Sequence, residues 1–95
     1  MGCPEQGDGS AMNDLGVLYE NGWGVQLDYN EARRCYEQSI DAGNRFGAFN
    51  AAQMYEQGLG VTADRARATE LYKDAARLEH RGAQDWLRER GIPWQ

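Results

Sequence analysis

Apolar residues fall along this chain at helical intervals, in blocks of about a dozen residues, and the blocks then recur. Ala11, Leu15, Leu18 and Tyr19 stand at spacings of four, three and one, the stripe of a helix that buries one side. After a glycine-bearing link comes a second stripe, Ala32, Cys35, Tyr36 and Ile40. The pair returns as Ala48, Ala51, Ala52, Met54 and Tyr55, then Ala68, Leu71, Tyr72 and Ala75 or Ala76. Period-two alternation, the mark of a half-buried strand, is missing. The pattern predicts an all-α chain with no sheet.

Shifting the chain by 36 positions aligns residues 11–44 with 47–80 and gives eight identities. Six of them fall in the links, "YENGWGVQLD" at 19–28 and "YEQGLGVTAD" at 55–64; the others are Ala32/Ala68 and Tyr36/Tyr72. Ala83 and Leu87 repeat the spacing of Ala11 and Leu15, so a third copy begins and stops. "EQGD" at 5–8 matches "DAGN" at 41–44, the tail of an earlier unit. The predicted organisation is one domain: a tail or N-terminal extension over 1–9, repeats over 10–45 and 46–81, and a capping helix over 82–95.

The links read as turns between paired helices. Gly22 and Gly58 stand where a helix ends in a left-handed residue, a conformation that a Cβ disfavours. Gly24 and Gly60 give a second permissive position. Val25 and Val61 are lone apolar residues, expected to plug the space between the helices. Asp28 and Asp64 are expected N-caps. Glu31 would complete a capping box in the first copy, whereas Arg67 replaces that acid in the second. A phosphate cradle is excluded: no strand precedes "GWGV" or "GLGV", and an Asp caps the helix that follows.

With 41% apolar and 26% charged residues the composition is that of a globular protein. The net charge of −5, with no Lys/Arg cluster, predicts no nucleic-acid and no anionic-membrane partner. No apolar run approaches the roughly 18 residues that would span a bilayer. The opening "MGC" has Gln6 where N-myristoylation needs Ser or Thr. With no leader in the chain as it stands, the expected location is cytoplasmic, or periplasmic or secreted if a leader has been trimmed.

The chemistry-bearing residues are few. Cys3 and Cys35 have no metal-ligand spacing; Cys35 is expected as a small buried side chain, with a Cys3–Cys35 disulfide as the alternative. His80, the single histidine, is expected at a solvated helix end. No nucleophile, base and oxyanion site converge in the pattern, and no His/Cys cluster could hold a metal. The expectation is a non-enzyme without metal or other cofactor.

These residues resemble the Sel-one-like repeat family, relatives of the tetratricopeptide repeat. The family pattern is A-x-x-x-L-G-x-x-Y-x-x-G-x-G-V, then Asp, Ala, an aromatic–Tyr pair and an inter-repeat Gly. "AMNDLGVLYENGWGVQLDYNEARRCYEQSIDAG" follows it closely and "GAFNAAQMYEQGLGVTADRARATELYKDAA" more loosely. Ala51 and Ala52 depart from the Leu-Gly pair, Cys35 and Leu71 from the aromatic, and Glu79 from the inter-repeat Gly. At that last position the helix is expected to run on towards Gly82. The second repeat lacks the cysteines that staple a cysteine-rich branch of the family.

The resemblance implies a short right-handed αα superhelix, a solenoid that binds proteins or peptides on its concave face. Carried over from the relatives, that face comprises Asn13, Val17, Glu20 and Asn21; Phe49, Gln53, Glu56 and Gln57; and Asp85 and Glu89. It is polar and acidic, with Phe49 as anchor, and suits a basic or amide-rich peptide. The same positions also fit a plain solvated surface, and Glu20 and Glu56 could serve the helix ends. Trp23 is expected to cover the hairpin end, and Trp86 and Trp94 to seal the C-terminal end or form a sticky patch. Two repeats are marginal for a stable stack, so a homodimer through the first-helix edge is an alternative. A small hydrolase of the cysteine-rich type is a third.

Overall fold

Each helix of this chain begins on a side-chain cap and ends on a left-handed or tightened turn, and the pattern repeats down the molecule. The computed structural model describes Cys3 and residues 8–95, so most of the tail or N-terminal extension expected over 1–9 lies outside the described residues. The helices are α1 (Gly9–Asn21), α2 (Tyr29–Asp41), α3 (Arg45–Gln57), α4 (Arg65–Arg77) and α5 (Arg81–Glu89). No strand occurs among the described residues.

The two links are built alike, bond for bond. Gly22 and Gly58 leave their helices with φ of 68° and 72°. Trp23 N–H then donates to the Leu18 carbonyl at 3.0 Å and Leu59 N–H to that of Met54 at 2.9 Å, the six-to-one bond of a Schellman turn. Asp28 N–H and Asp64 N–H reach back to the Tyr19 and Tyr55 carbonyls, both at 2.9 Å, and close the loop. The Asp28 carboxylate accepts from Glu31 N–H at 3.2 Å and that of Asp64 from Arg67 N–H at 3.1 Å. The expected capping box does not form. Asp28 N–H is already used by Tyr19, and the Glu31 carboxylate turns to Cys3 N–H and the Arg34 guanidinium instead.

Between repeats, Gly43 (φ 80°) ends α2 and Asn44 caps α3, accepting from Phe46 and Gly47 N–H. At the next joint Glu79 takes the same left-handed conformation (φ 67°) without being glycine, and His80 caps α5. The expected run-on towards Gly82 is therefore wrong. Leu78 N–H and His80 N–H bond back to Asp74 and Ala75, so α4 closes on the turn that Gly43 makes, at some backbone cost in Glu79.

Two stripes of α3 are buried, not one. Met12, Gly16 and Tyr19 pack α1 on α2; a Cβ at Gly16 would stand 2.6 Å from the Tyr36 ring. In α3, Ala48 and Ala52 continue that stripe, while Gly47, Ala51 and Met54 form another. The second stripe faces the preceding repeat: a Cβ on Gly47 would meet Ser39 and the Tyr36 carbonyl of α2. Ala83 and Leu87 repeat it in α5, fully buried. The stripe expected in α1, Ala11, Leu15 and Leu18, is this second one. It is largely uncovered: Ala11 and Leu18 are exposed and Leu15 is half-buried, because no helix among the described residues lies there. Trp23 fails to cover the hairpin end for the same reason and is 61% exposed, whereas its counterpart Leu59 packs on the core.

The helices form two layers. α1 and α3 touch directly, whereas α2 and α4 part around an open groove lined by Glu37, Ile40, Leu71 and Asp74. The first helices are thus on the inner side. At the C-terminal end Trp86, Ile92 and Trp94 pack on the core, and the Arg77 guanidinium donates to the Trp94 carbonyl at 2.8 Å. Both tryptophans seal that end. Val25 packs on the core and Val61 is half-buried. Cys3 and Cys35 are buried free thiols and no disulfide joins them; burial pushes the Cys35 thiol well above its ordinary range.

Gly24 and Gly60 share nearly the same φ, 75° and 71°, but a Cβ on Gly60 would run into Tyr29 Cβ of α2 while one on Gly24 meets nothing. Alanine at either position should cost about 1 kcal/mol for the left-handed backbone, and Gly60→Ala should cost measurably more than Gly24→Ala in urea unfolding. Equal losses would mean that the second link does not rest on α2.

Candidate partner-binding face

The inner side of α1, α3 and α5 carries side chains at helical intervals, and the structure commits several of them to the fold. Asn13 is buried, and its amide oxygen accepts from Asn50 Nδ2 at 2.8 Å, which ties α1 to α3. It is not an open contact residue. Val17 is half-buried on the core, and exposed Asn21 donates its amide back to the Val17 carbonyl at 2.8 Å. Gln53 is half-buried, and Gln57 is exposed.

Glu20 and Glu56 are each held from the second helix of their own hairpin. Tyr36 Oη donates to Glu20 Oε1 at 2.6 Å and Tyr72 Oη to Glu56 Oε1 at 2.7 Å. Burial first, and then these bonds, push both phenols far above the ordinary tyrosine range, so each keeps its proton and acts as donor. The repeated Tyr/Glu pair of the sequence is this bond. In the second repeat the other oxygen, Glu56 Oε2, accepts from Trp86 Nε1 at 3.2 Å and links α3 to α5.

Phe49 does not stand free as an anchor. It stacks on His80 (4.2 Å between centroids, 12° between planes) and meets Tyr72 edge-on at 5.6 Å. Tyr72 stacks on Trp86 at 4.0 Å, and the Arg90 guanidinium lies 3.9 Å above the Trp86 ring. These contacts run from α3 through α4 to α5 and fix the third unit. Sequence reasoning missed Asn50 and Arg90, and it gave Trp86 an end-sealing or patch role without its bond to Glu56. Asn50 and Trp86 occupy the same repeat position, 36 residues apart, and both donate across a repeat joint; that alignment was the available signal.

The acidity expected of this face does not extend into the third unit. Asp85 pairs with Arg88 at 2.9 Å and Glu89 with Arg90 at 3.8 Å. An open groove of about 400 Å³ between α4 and α5 is lined by Glu56, Arg65, Thr69, Trp86, Arg90 and Ile92. It sets two guanidiniums against one carboxylate that is already bonded on both oxygens. The inner side is therefore acidic at the first repeat, whereas at the C-terminal end carboxylates and guanidiniums balance. Among the described residues no group of three His, Cys, Asp or Glu side chains could hold a metal ion, and no helix is long and apolar enough to cross a membrane.

Paired helices stacked by such joints define a helical-hairpin solenoid, and the comparisons specify its kind. The Sel1 repeat family model matches residues 9–44 and 46–80, and the chain belongs to that family, whose repeats generally serve protein–protein interaction. Human protein sel-1 homolog 2 is 40% identical over 74 residues, 75% of this chain, and the mouse protein 38% identical over 72. The chain spans about a tenth of the length of these relatives. A Sel1 repeat protein from Oxalobacter formigenes superposes with a TM-score of 0.82 and 30% identity, over 90% of this chain and 35% of its own. Cysteine rich protein B of Helicobacter pylori gives 0.79 and 26%, over 83% and 59%.

His80 is half-buried rather than solvated, and its Nδ1 accepts from Ala83 N–H at 3.1 Å as the cap of α5. Burial, and then the charge of Arg45, lower its pKa below the ordinary 6.5. Below that value the unfolded chain takes up a proton that the folded one refuses. The stability it contributes is thus complete above about pH 6.5 and is lost as pH falls through the lowered folded value. His80→Asn places at the cap the residue that Asn44 already provides, without a titration. Its melting temperature should fall less than that of the wild type between about pH 7.5 and 5; parallel curves would contradict the role given to His80.

Proposed function

We propose that this chain is a non-catalytic interaction module that takes a peptide segment of another protein along the inner side of α1 and α3. The observation that carries this is the clamped carboxylate of Glu20. Tyr36 fixes one oxygen, and the other, without a partner among the described residues, accepts from a ligand with little further loss of side-chain entropy. Asn21, Gln53 and Gln57 supply amides on the same side, able to pair with peptide N–H and C=O groups. The preferred ligand presents a Lys, Arg or amide to Glu20.

What speaks against catalysis is the use already made of the candidate groups. The single histidine is occupied in capping and stacking, and the Cys35 thiol is buried with its ionisation suppressed. The carboxylates on the inner side are engaged by phenols, by an indole or by neighbouring arginines.

Selection of binding peptides from a displayed random library tests the reading. Binders should be enriched in basic or amide side chains. Their affinity should drop about tenfold with Glu20→Gln, the loss of one charge-assisted bond, and weaken with added salt. Glu20→Gln keeps an acceptor for Tyr36, so its melting temperature should hold. Binding that ignores Glu20→Gln and Gln53→Ala but fails with Ile40→Asp, in the groove between α2 and α4, would move the site to the outer side.

A further inference from the structure

The second joint carries side chains that the first does not. Tyr29 opens α2 and its Cβ lies against Gly60 of the next link, whereas the same position of α4 is Arg65. One turn on, Arg33 of α2 gives way to the shorter Thr69 of α4. Beyond α5 the chain turns at Gly91 (φ 68°), and Ile92 packs on the core. These departures meet in the open groove of about 400 Å³ lined by Glu56, Arg65, Thr69, Trp86, Arg90 and Ile92. Its two cations are held differently. The Arg90 guanidinium lies 3.9 Å above the Trp86 ring, and its Nη1 donates to the Trp86 carbonyl at 2.9 Å. Nε and Nη2 of Arg90 have no partner among the described residues, and they form the side of a guanidinium that takes both oxygens of one carboxylate. Arg65 is exposed, and its guanidinium also lacks a partner among the described residues. The acids nearby are committed or weakly placed. Tyr72 Oη and Trp86 Nε1 hold the two oxygens of Glu56. Glu89 reaches Arg90 Nη1 only at 3.8 Å, from a side chain 74% exposed, a contact of little worth.

We propose that the groove between α4 and α5 binds an acidic side chain, the Asp or Glu of a segment of another protein, between Arg65 and Arg90. Arg90 takes the carboxylate on Nε and Nη2. Its guanidinium is already oriented by Trp86, so binding costs it little side-chain entropy. Arg65 closes on the same carboxylate from the α4 side, and Ile92 meets an apolar neighbour of the acid. The incoming group replaces Glu89 on Arg90. Charge selects a monoanion. Two guanidiniums against Glu56 leave the groove one positive charge, which a carboxylate neutralises and a phosphate dianion would exceed. Glu20, in the first repeat, takes a group of the opposite charge; neither proposal depends on the other.

The probe is the peptide Gly-Ser-Leu-Glu-Ser-Gly, acetylated and amidated, titrated into the full chain labelled with 5-fluorotryptophan. Fluorine NMR should show the Trp86 resonance shifting to saturation while that of Trp23, in the first link, stays. Gln for Glu in the peptide, or Arg65→Gln in the protein, should weaken binding about tenfold or more, the loss of a charge-assisted bond. Glu89→Gln should tighten it, because the competing carboxylate is gone. Arg65 and Glu89 are exposed, so neither variant should lower the melting temperature. Glu20→Gln should leave this binding unchanged, which separates the groove from the peptide face above. A Trp86 resonance that ignores the peptide, or binding indifferent to the peptide's Glu or to Arg65→Gln, would overturn the proposal. So would inorganic phosphate that moves Trp86 at lower concentration than the peptide does. Stronger binding by acetylated Gly-Ser-Leu with a free C-terminal carboxylate would overturn it too, since the groove would then take a chain end.

Discussion

At Gly22 and again at Gly58 the chain leaves a helix with positive φ, turns through a second left-handed glycine, and enters the next helix under an aspartate cap. The identical bonds that close the two links, from residue 23 to 18 and 28 to 19 and from 59 to 54 and 64 to 55, fix how each second helix returns along its first. That return angle puts Tyr36 against Gly16 and aims Tyr36 and Tyr72 at the carboxylates of Glu20 and Glu56. A residue with a Cβ would strain the turn by about 1 kcal/mol, and the register of everything after it rests on that turn. The constraint is local, which is why it survives in two copies whose helices otherwise share little sequence.

Stacking of one hairpin on the next relies on a different device, small residues. Gly47 meets Ser39, Gly60 meets Tyr29, and Ala51 and Ala83 are fully buried on the stripe that faces the preceding repeat. Alanine-lined joints bring backbones close but bury little area each, so the aromatic contacts of Phe49, His80, Tyr72 and Trp86 carry much of the apolar burial at the last joint. The chain is thus a pair of near-copies with different fastenings. Amide to amide, Asn50 to Asn13, serves the first joint, and indole to carboxylate, Trp86 to Glu56, serves the second.

The links were the most legible part of the sequence because glycine at φ near +70° and aspartate at an N-cap answer local demands that few other residues meet. Helix number followed from periodicity, whereas the place of Trp86 and Trp94 near the C-terminal end left sealing and a sticky patch both open, and their packing on the core decides for sealing. The stripe of α1 was misjudged because periodicity marks which side of a helix is apolar, not whether a neighbour covers it. Trp23 was misplaced for that reason. Glu79 misled because left-handed backbone at a non-glycine leaves no compositional trace. The inner side was legible in outline only. Asn13 and Phe49 fall on the right stripe, but whether a polar or aromatic side chain faces a partner or a neighbouring helix depends on cross-repeat contacts that a single repeat does not encode.

The most direct test of the turn on which this account rests is to replace Gly22, by chemical ligation, with D-alanine and separately with L-alanine, and to compare melting temperatures. A D-residue prefers positive φ and restricts the unfolded chain, so the account predicts that D-alanine raises the midpoint and L-alanine lowers it. Two alanines that shift it equally, or an L-alanine tolerated without loss, would contradict the left-handed turn as the element that sets the hairpin.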